Sequence, residues 1–131
     1  MISMKWSLQQ LFKYTHTPLK FSEELDFKEY IKGIDDILDI SLAKVEGSAL
    51  HLYDERYQFD LSIKCTLVLE DAVTLDPIDF PLDINVIETF DKVVDEEMDE
   101  DVRLIEKNTI DLFDVVWEDI LLEKPIRVTK E

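Results

Sequence analysis

The sequence predicts an α+β fold, a single domain built on a mainly antiparallel, curled β-sheet with flanking helices. Apolar and polar residues alternate from Tyr57 to Leu69, which is the period of a strand with one buried face. At about 3.3 Å per residue this run exceeds an ordinary strand, which favours a sheet that curls. Apolar residues at helical spacing lie before and after this region, and residues 43–90 leave no room for the crossover helices of a parallel sheet.

Two helices are predicted before the strands. Ser7 and Gln10 form a capping-box pattern, which predicts a short helix over residues 7–14. Asp26 and Glu29 repeat this pattern and predict a second helix, which runs on to Leu38 or, alternatively, ends early at Gly33. Its apolar positions at helical spacing are Phe27, Tyr30, Ile31, Ile34 and Leu38. These two helices would flank the sheet on its N-terminal side.

Two further strands are predicted beside the long one. The clearer of them exposes Asp79, Asp83 and Asn85 on one face and carries Phe80, Leu82, Ile84 and Val86 on the other. An earlier strand changes the phase of its apolar residues between Ala49 and Leu50, which predicts a β-bulge near Gly47. The dipeptide Asp54-Glu55 is predicted to form the turn that leads into the long strand.

The last part of the chain begins with a run of acidic residues. This run is Asp95, Glu96, Glu97, Met98, Asp99, Glu100 and Asp101. Residues 95–101 are predicted to form a mobile loop, because like charges repel and only Met98 offsets the cost of ordering. Residues 102–105 are predicted to form a short edge strand. A final helix is predicted from near Thr109 to Pro125, with an apolar stripe. The stripe consists of Leu112, Val115, Val116 and Ile120.

The composition restricts the classes of function. The 131 residues include 14 Lys and Arg against 31 Asp and Glu, a net charge of −17. Such a chain repels nucleic acid at long range unless a local basic patch prevails. Residues 1–22 form the one basic segment, with three lysines and no acidic residue. Residues 66–120, in contrast, contain 18 acidic and three basic residues. Two glycines exclude a glycine-rich phosphate loop, and 46% apolar residues exclude a disordered chain.

No residue has the sequence context of a catalytic or metal centre. Cys65 is in phase with the buried face of the long strand, so it is interpreted as a small apolar side chain rather than a reactive thiolate. His16 and His51 lack a nearby Cys or a patterned carboxylate and are interpreted as structural or surface residues. Trp6 and Trp117 are expected to pack against the core. The sequence therefore predicts no enzyme, no catalytic residue, no metal ligands and no cofactor.

Cysteine content and hydropathy indicate a cytoplasmic protein. One cysteine cannot form an internal disulfide, which fits a reducing compartment. No apolar run reaches the roughly 18 residues that span a bilayer. The first residues also lack the continuous apolar stretch of a secretory signal. No membrane partner is therefore expected.

Several short segments, taken in order, resemble one known family. They are Met4-Lys5-Trp6-Ser7 with Gln10-Leu11, Lys44-Val45-Glu46-Gly47, Phe80-Pro81-Leu82-Asp83-Ile84, Glu88-Thr89-Phe90, Ile110-Asp111-Leu112, and Ile120-Leu121-Leu122-Glu123-Lys124-Pro125. Their order and spacing resemble the YceD family of Gram-positive bacteria, which is named for the accumulation of large-subunit ribosomal RNA. The likeness covers nearly the whole chain, so residues 1–131 are interpreted as one YceD-like domain. Many members of the family also carry a Cys-x-Arg-Cys or Cys-x-Arg-Thr signature.

The positions that match this signature are Asp71-Ala72-Val73-Thr74, which lack both its cysteine and its arginine. A redox, metal or RNA-contact role of the signature is therefore not carried over, and Cys65 does not replace it. The resemblance implies a cytoplasmic factor needed for normal levels of large-subunit ribosomal RNA, with no established catalytic activity. The family's genes commonly neighbour the gene of a small basic protein of the large ribosomal subunit.

The first hypothesis is a non-enzymatic ribosome-assembly factor whose acidic surface binds a basic ribosomal protein or a pre-ribosomal particle. The residues assigned to this surface are Asp79, Asp83, Asp95, Glu96, Glu97, Asp99, Glu100 and Asp101. The alternative is direct RNA binding through a basic N-terminal helix, with Lys5, Lys13 and Lys20 on phosphates. A metal-dependent hydrolase is a third class, and no recognisable ligand set supports it.

Overall fold

The computed structural model describes residues 4–95, 97–99 and 101–125, and strands make up most of its regular structure. The strands are β1 (Lys5–Ser7), β2 (Leu19–Leu25), β3 (Ile37–Ile40), β4 (Ala43–Tyr53), β5 (Arg56–Glu70), β6 (Pro77–Asp91), β7 (Val102–Leu104) and β8 (Thr109–Asp111). The helices are α1 (Leu8–Leu11) and α2 (Phe113–Glu123). The described part of the chain is therefore mostly β with two short helices, and the predicted α+β class with flanking helices is wrong.

Most strands belong to one sheet of six. Its order is β2-β4-β5-β6-β7, and β3 pairs with β5 on the same edge as β4. Each of these pairs is antiparallel except β6 with β7, which is parallel. The strands β1 and β8 form a separate two-stranded antiparallel sheet, which joins the beginning of the described chain to the segment before α2. The central position in this arrangement belongs to β5.

The period-two prediction for the long strand is confirmed, because β5 buries every second residue. The buried residues on its inward face are Tyr57, Phe59, Leu61, Ile63, Cys65, Leu67 and Leu69. The helix α2 contributes Val116 and Ile120 to the same core. Cys65 and Trp117 are buried, and Trp6 packs half-buried against the core, which confirms the three sequence interpretations.

Four other predicted elements are confirmed. Ser7 and Gln10 form both hydrogen bonds of the capping box, and α1 after them is a single turn, shorter than predicted. The alternation of β6 matches its burial, with its acidic face exposed. Asp54-Glu55 forms the turn before β5, and β7 is a short strand at the edge of the sheet.

The helix predicted from Asp26 is wrong. The Asp26 carboxylate accepts a hydrogen bond from the backbone N–H of Lys28 at 2.9 Å, which forms a turn. Phe27 is fully buried, and its ring centroid lies 4.6 Å from that of Phe113 at the start of α2. The residues Ile37–Ile40 then pair with β5 as a strand. Aromatic packing and strand pairing therefore outweigh the helical spacing of this segment.

Two predicted details of the strands and of the last helix are also wrong. Gly47 keeps regular antiparallel pairing, and the irregularity of β4 falls between His51 and Tyr53. The expected bulge is absent because Gly47 and Ala49 continue the inward face in regular alternation, while Leu50 and Leu52 lie on the opposite face. Thr109–Asp111 pairs with β1 as a strand, so the last helix begins at Phe113 rather than near the predicted start.

A buried charge cluster joins α2 to the sheet. Glu88, on the inward face of β6, and Asp119, on α2, are 7% and 6% exposed. Arg103 of β7 donates to Glu88 at 3.2 Å and to Glu118 at 2.6 Å. Among the described residues, Oδ2 of Asp119 has no hydrogen-bond partner. Burial first, and then the adjacent Glu88 carboxylate, raise the pKa of Asp119 to about 7.

The structure predicts that Gly47→Ala destabilises the fold by about 1–3 kcal/mol. A Cβ atom at Gly47 would lie 2.5 Å from the backbone oxygen of Asp60 and 2.9 Å from Cζ of Phe21, so the strands would have to move apart. Urea unfolding measures the free energy of unfolding. Gly33→Ala is the matched control, because a Cβ atom there meets nothing within 4 Å. Equal effects at the two glycines would contradict the close packing of β4.

The stability of the fold should decrease as pH rises from about 4 to about 7. The folded chain keeps a proton on Asp119 in this interval, whereas the unfolded chain releases it near 3.8, so deprotonation favours unfolding. Asp119→Asn should remove this part of the pH dependence. The free energy of unfolding, measured by urea between about pH 5 and about pH 8, tests the prediction. Glu123→Gln, an exposed change on the same helix, should leave the wild-type slope.

Candidate partner-binding surface

The structure separates the predicted acidic surface residues along a long hairpin. β5 and β6 pair continuously from Tyr57 with Phe90 to Glu70 with Pro77, a length of roughly 40 Å at the rise of a strand. Asp79 lies near the closed end of this hairpin, where the chain turns between β5 and β6, and Asp83, opposite Lys64, lies at the middle of the hairpin. The described residues of the acidic run lie after the other end of β6, and Glu96 and Glu100 fall outside the described residues.

Asp83 lies in a row of balanced charges rather than in an acidic patch. On the outer face of the sheet, Asp83 lies opposite Lys64 in the register of the strands. Lys64 lies opposite Lys44, and Lys44 lies opposite Glu24. Opposite charges in neighbouring strands stabilise each other. Asp79 is paired with Val68. Both aspartates are exposed, and the sheet does not bring them to the acidic run.

The acidic run borders a groove of about 460 Å³, which we call the acidic groove. It is lined by Leu52, Tyr53, Arg56, Gln58, Thr89, Glu97, Met98, Asp99, Asp101 and Val102. Tyr53 and Met98 are 57% and 83% exposed, so apolar surface and carboxylates meet at one place. Exposed apolar side chains that cluster in a concave surface mark an interaction site more strongly than scattered ones.

Arg56 anchors the acidic run to the sheet. Its Nε lies 2.9 Å from Oδ2 of Asp91, and its Nη2 lies 3.1 Å from Oδ2 of Asp99. The guanidinium also lies 5.8 Å from the ring centroid of Tyr53. The hydrogen bond to Asp91 is the largest cause that raises the pKa of Arg56 above its ordinary value. The backbone N–H of Asp95, followed by Arg56, lowers the pKa of Asp99.

Two carboxylates of the acidic groove remain available to a partner. Glu97 and Asp101 are exposed and form no ion pair within the described part of the chain. Arg56 shows the geometry that a cation adopts here, between two carboxylates and over an aromatic ring. The groove can therefore take a lysine or arginine of a partner at its rim and an apolar side chain against Met98.

Sequence reasoning identified the acidic run and missed the other side of the groove. Leu52 and Tyr53 end β4 and Arg56 begins β5, so they lie 39 to 43 positions before the first residue of the acidic run. The change of phase at Leu50 was the signal for Leu52, because it puts that apolar side chain on the outer face. No local pattern shows which distant segment an exposed residue will meet.

The three lysines assigned to the alternative function lie on different elements. Lys5 is on β1, where it is paired with Asp111, and Lys20 is on β2, where it is paired with Ser48. Lys13 follows α1, and its Nζ lies 5.4 Å from the ring centroid of Tyr14. The residues Leu8–Leu11 of α1 include none of the three. All three lysines are exposed.

The two histidines and the cysteine do not form a site: His51 and Cys65 are buried, and His16 is exposed. His51 is buried, and its ring nitrogens lie 3.1 Å and 2.6 Å from the carbonyl oxygens of Phe12 and Asp54. His16 is exposed. Burial raises the pKa of the Cys65 thiol to about 11, which keeps it protonated at neutral pH. Across the described ranges, no three His, Cys, Asp or Glu residues are grouped to hold a metal ion.

In the described part of the chain, no helix combines the length and the apolar character needed to cross a bilayer.

Comparison with known proteins finds a curated relative of similar sequence. No protein-family model matches the sequence, and no solved structure matches it. The chain is 32% identical over 126 residues to Uncharacterized protein YlbN of Bacillus subtilis (strain 168), an alignment that covers 95% of this chain and 73% of that protein. This similarity extends over nearly all of the fold described above, so the chain belongs to the family of YlbN.

Proposed function

We propose that the protein is a non-enzymatic, cytoplasmic factor in ribosome biogenesis that supports the accumulation of large-subunit ribosomal RNA. It acts by binding a basic ribosomal protein or a pre-ribosomal particle in the acidic groove. The resemblance of its segments to the YceD family supports the process, and the net charge of −17 supports the class of partner. Complementary charge accelerates encounter and excludes acidic competitors.

The observation that carries the proposal is the combination of free carboxylates with exposed apolar surface in one groove. Glu97 and Asp101 supply the charge, while Tyr53 and Met98 supply surface that loses water on contact. Buried aromatic and apolar contacts give most of the affinity at protein interfaces, and charges at the rim set the encounter rate. A lysine-rich ribosomal protein with apolar side chains offers the complement of both.

A non-enzymatic role is supported by where the perturbed groups lie. Groups with strongly shifted pKa values are candidates for catalysis when they line a cleft. Here Cys65 belongs to the core and Asp119 lies in the charge cluster between α2 and β6, outside the acidic groove. The pKa shifts of Arg56 and Asp99, which line the groove, keep both side chains charged and paired with each other. Arg103 and Glu88 serve to join secondary-structure elements in that cluster.

Direct RNA binding is the second candidate. Lys13 and the adjacent Tyr14 ring present a cation beside an aromatic face, which is a combination that single-stranded RNA contacts. Lys5 and Lys20 are exposed and could contact phosphates. The three lysines, however, are spread over β1, the end of α1 and β2, so this candidate has a less continuous surface than the acidic groove.

Neutralising the rim of the acidic groove should weaken binding to large-subunit ribosomal proteins. The double variant Glu97→Gln and Asp101→Asn should lose about 1 kcal/mol, which is roughly fivefold in Kd, and its affinity should depend less on salt. Binding to purified proteins of the large subunit, measured at low and high salt, tests this. Asp35→Asn with Asp83→Asn is the matched control, because it removes the same charge at two exposed carboxylates outside the groove. Equal losses in both double variants would reject the groove as the site.

The RNA alternative predicts a different result. Replacing Lys5, Lys13 and Lys20 together by Gln should lower affinity for large-subunit ribosomal RNA and reduce its salt slope by about 2, since each phosphate contact contributes roughly 0.7. Filter binding at several salt concentrations measures both quantities. Undetectable RNA binding by the wild-type protein near physiological salt would remove this candidate, and Lys107→Gln is an exposed control outside the three positions.

A further inference from the structure

The turn between β5 and β6 exposes two apolar side chains. We call residues 71–76 the hairpin tip. Val73 and Leu75 within it are 68% and 66% exposed, and they lie at the end of the hairpin that is remote from the acidic groove. The apolar face of β5 ends before this turn, so neither side chain belongs to the core.

Leu75 adopts a backbone conformation that leucine disfavours. Its φ angle is 66°, in the left-handed region, where a Cβ atom is crowded and where glycine and asparagine are the usual residues. An exposed side chain recovers none of this cost through burial. A leucine at this position therefore does not stabilise the fold. Backbone strain of this kind is typical of functional positions.

The hairpin tip is held in a defined shape by hydrogen bonds to Asp71, which is 1% exposed. The Asp71 carboxylate accepts from the backbone N–H groups of Val73 and Thr74 at 2.8 and 2.9 Å. Its carbonyl oxygen accepts from the N–H of Leu75 at 3.0 Å, and its own N–H donates to the carbonyl of Asp76 at 2.8 Å. A surface that is already ordered loses little entropy when a partner binds.

We infer that the hairpin tip is a protein-docking element, in which Val73 and Leu75 enter an apolar pocket of a partner whose surroundings are basic. Glu70, Asp76 and Asp79 flank the two apolar side chains, so the pocket must be bordered by lysine or arginine. The same carboxylates repel RNA and anionic lipid. They also repel a second copy of this chain at its net charge of −17. This inference does not depend on the proposed function, because it concerns another end of the molecule and other residues.

Site-specific photo-cross-linking in cells tests the inference. A benzophenone amino acid replaces Ala72, which is exposed and beside the two apolar side chains, and a second full-length protein carries it at Asn108. We expect a discrete cross-linked product from position 72 and not from position 108. Mass spectrometry should identify it as a basic protein cross-linked within an apolar segment that has Lys or Arg nearby. No product, or a product with RNA, lipid or an acidic protein, would overturn the inference.

The contribution of the Leu75 side chain is tested in the protein that carries the cross-linker at position 72. Leu75→Asn suits the left-handed backbone and removes the apolar side chain, so we expect the cross-linked product to fall at least tenfold while the midpoint of thermal unfolding is not lowered. Lys107→Gly is the matched control, because Lys107 is exposed with a φ of 56° and lies outside the hairpin tip. It should leave the product unchanged. An undiminished product with Leu75→Asn, or a clear loss of its thermal stability, would refute a docking role for Leu75.

Discussion

The burial of one face of β5 is the constraint on which the rest of the structure depends. β5 pairs with β3, β4 and β6, so three strands take their register from it. A shift by one residue would turn its seven buried side chains to solvent, and the strands paired with it would lose their match. The same strand also sets the length of the hairpin, whose two ends carry the two candidate contact surfaces.

Three basic residues of this acidic chain connect secondary-structure elements. Arg56 holds the acidic run to the sheet through Asp91 and Asp99, and Arg103 joins β7 to β6 and α2. Lys124 joins the end of α2 to Asp36, ahead of β3, with Nζ 2.5 Å from the carboxylate. Cations used in this way neutralise acids inside the fold. Apart from buried carboxylates such as Asp119, the remaining acidic side chains lie at the surface, where they repel one another.

The arrangement separates two kinds of acidic surface that look alike in the sequence. On the outer face of the sheet, Asp83 lies opposite Lys64 of the neighbouring strand. At the acidic groove, Arg56 neutralises Asp99. The carboxylates of Glu97 and Asp101 line the same groove, beside exposed apolar side chains. The second arrangement suits a partner, because charge guides the encounter and apolar contact holds the complex. An ordered hairpin tip at the other end of the hairpin adds a second, apolar contact about 40 Å away.

The sequence alone determined the elements whose signal is local. The alternation from Tyr57 to Leu69 depends on neighbouring side chains pointing to opposite faces, and the capping box at Ser7 depends on groups three residues apart. The tertiary structure decided where a local pattern meets a distant partner. Phe27 packs against an aromatic ring of α2 instead of continuing a helix, and the inward-facing carboxylate of Glu88 accepts a hydrogen bond from Arg103 of the adjacent strand. The acidic groove likewise exists only because Arg56 brings the acidic run against Tyr53. Such pairings are selected by burial and charge over long distances in the chain, which no window of neighbouring residues contains.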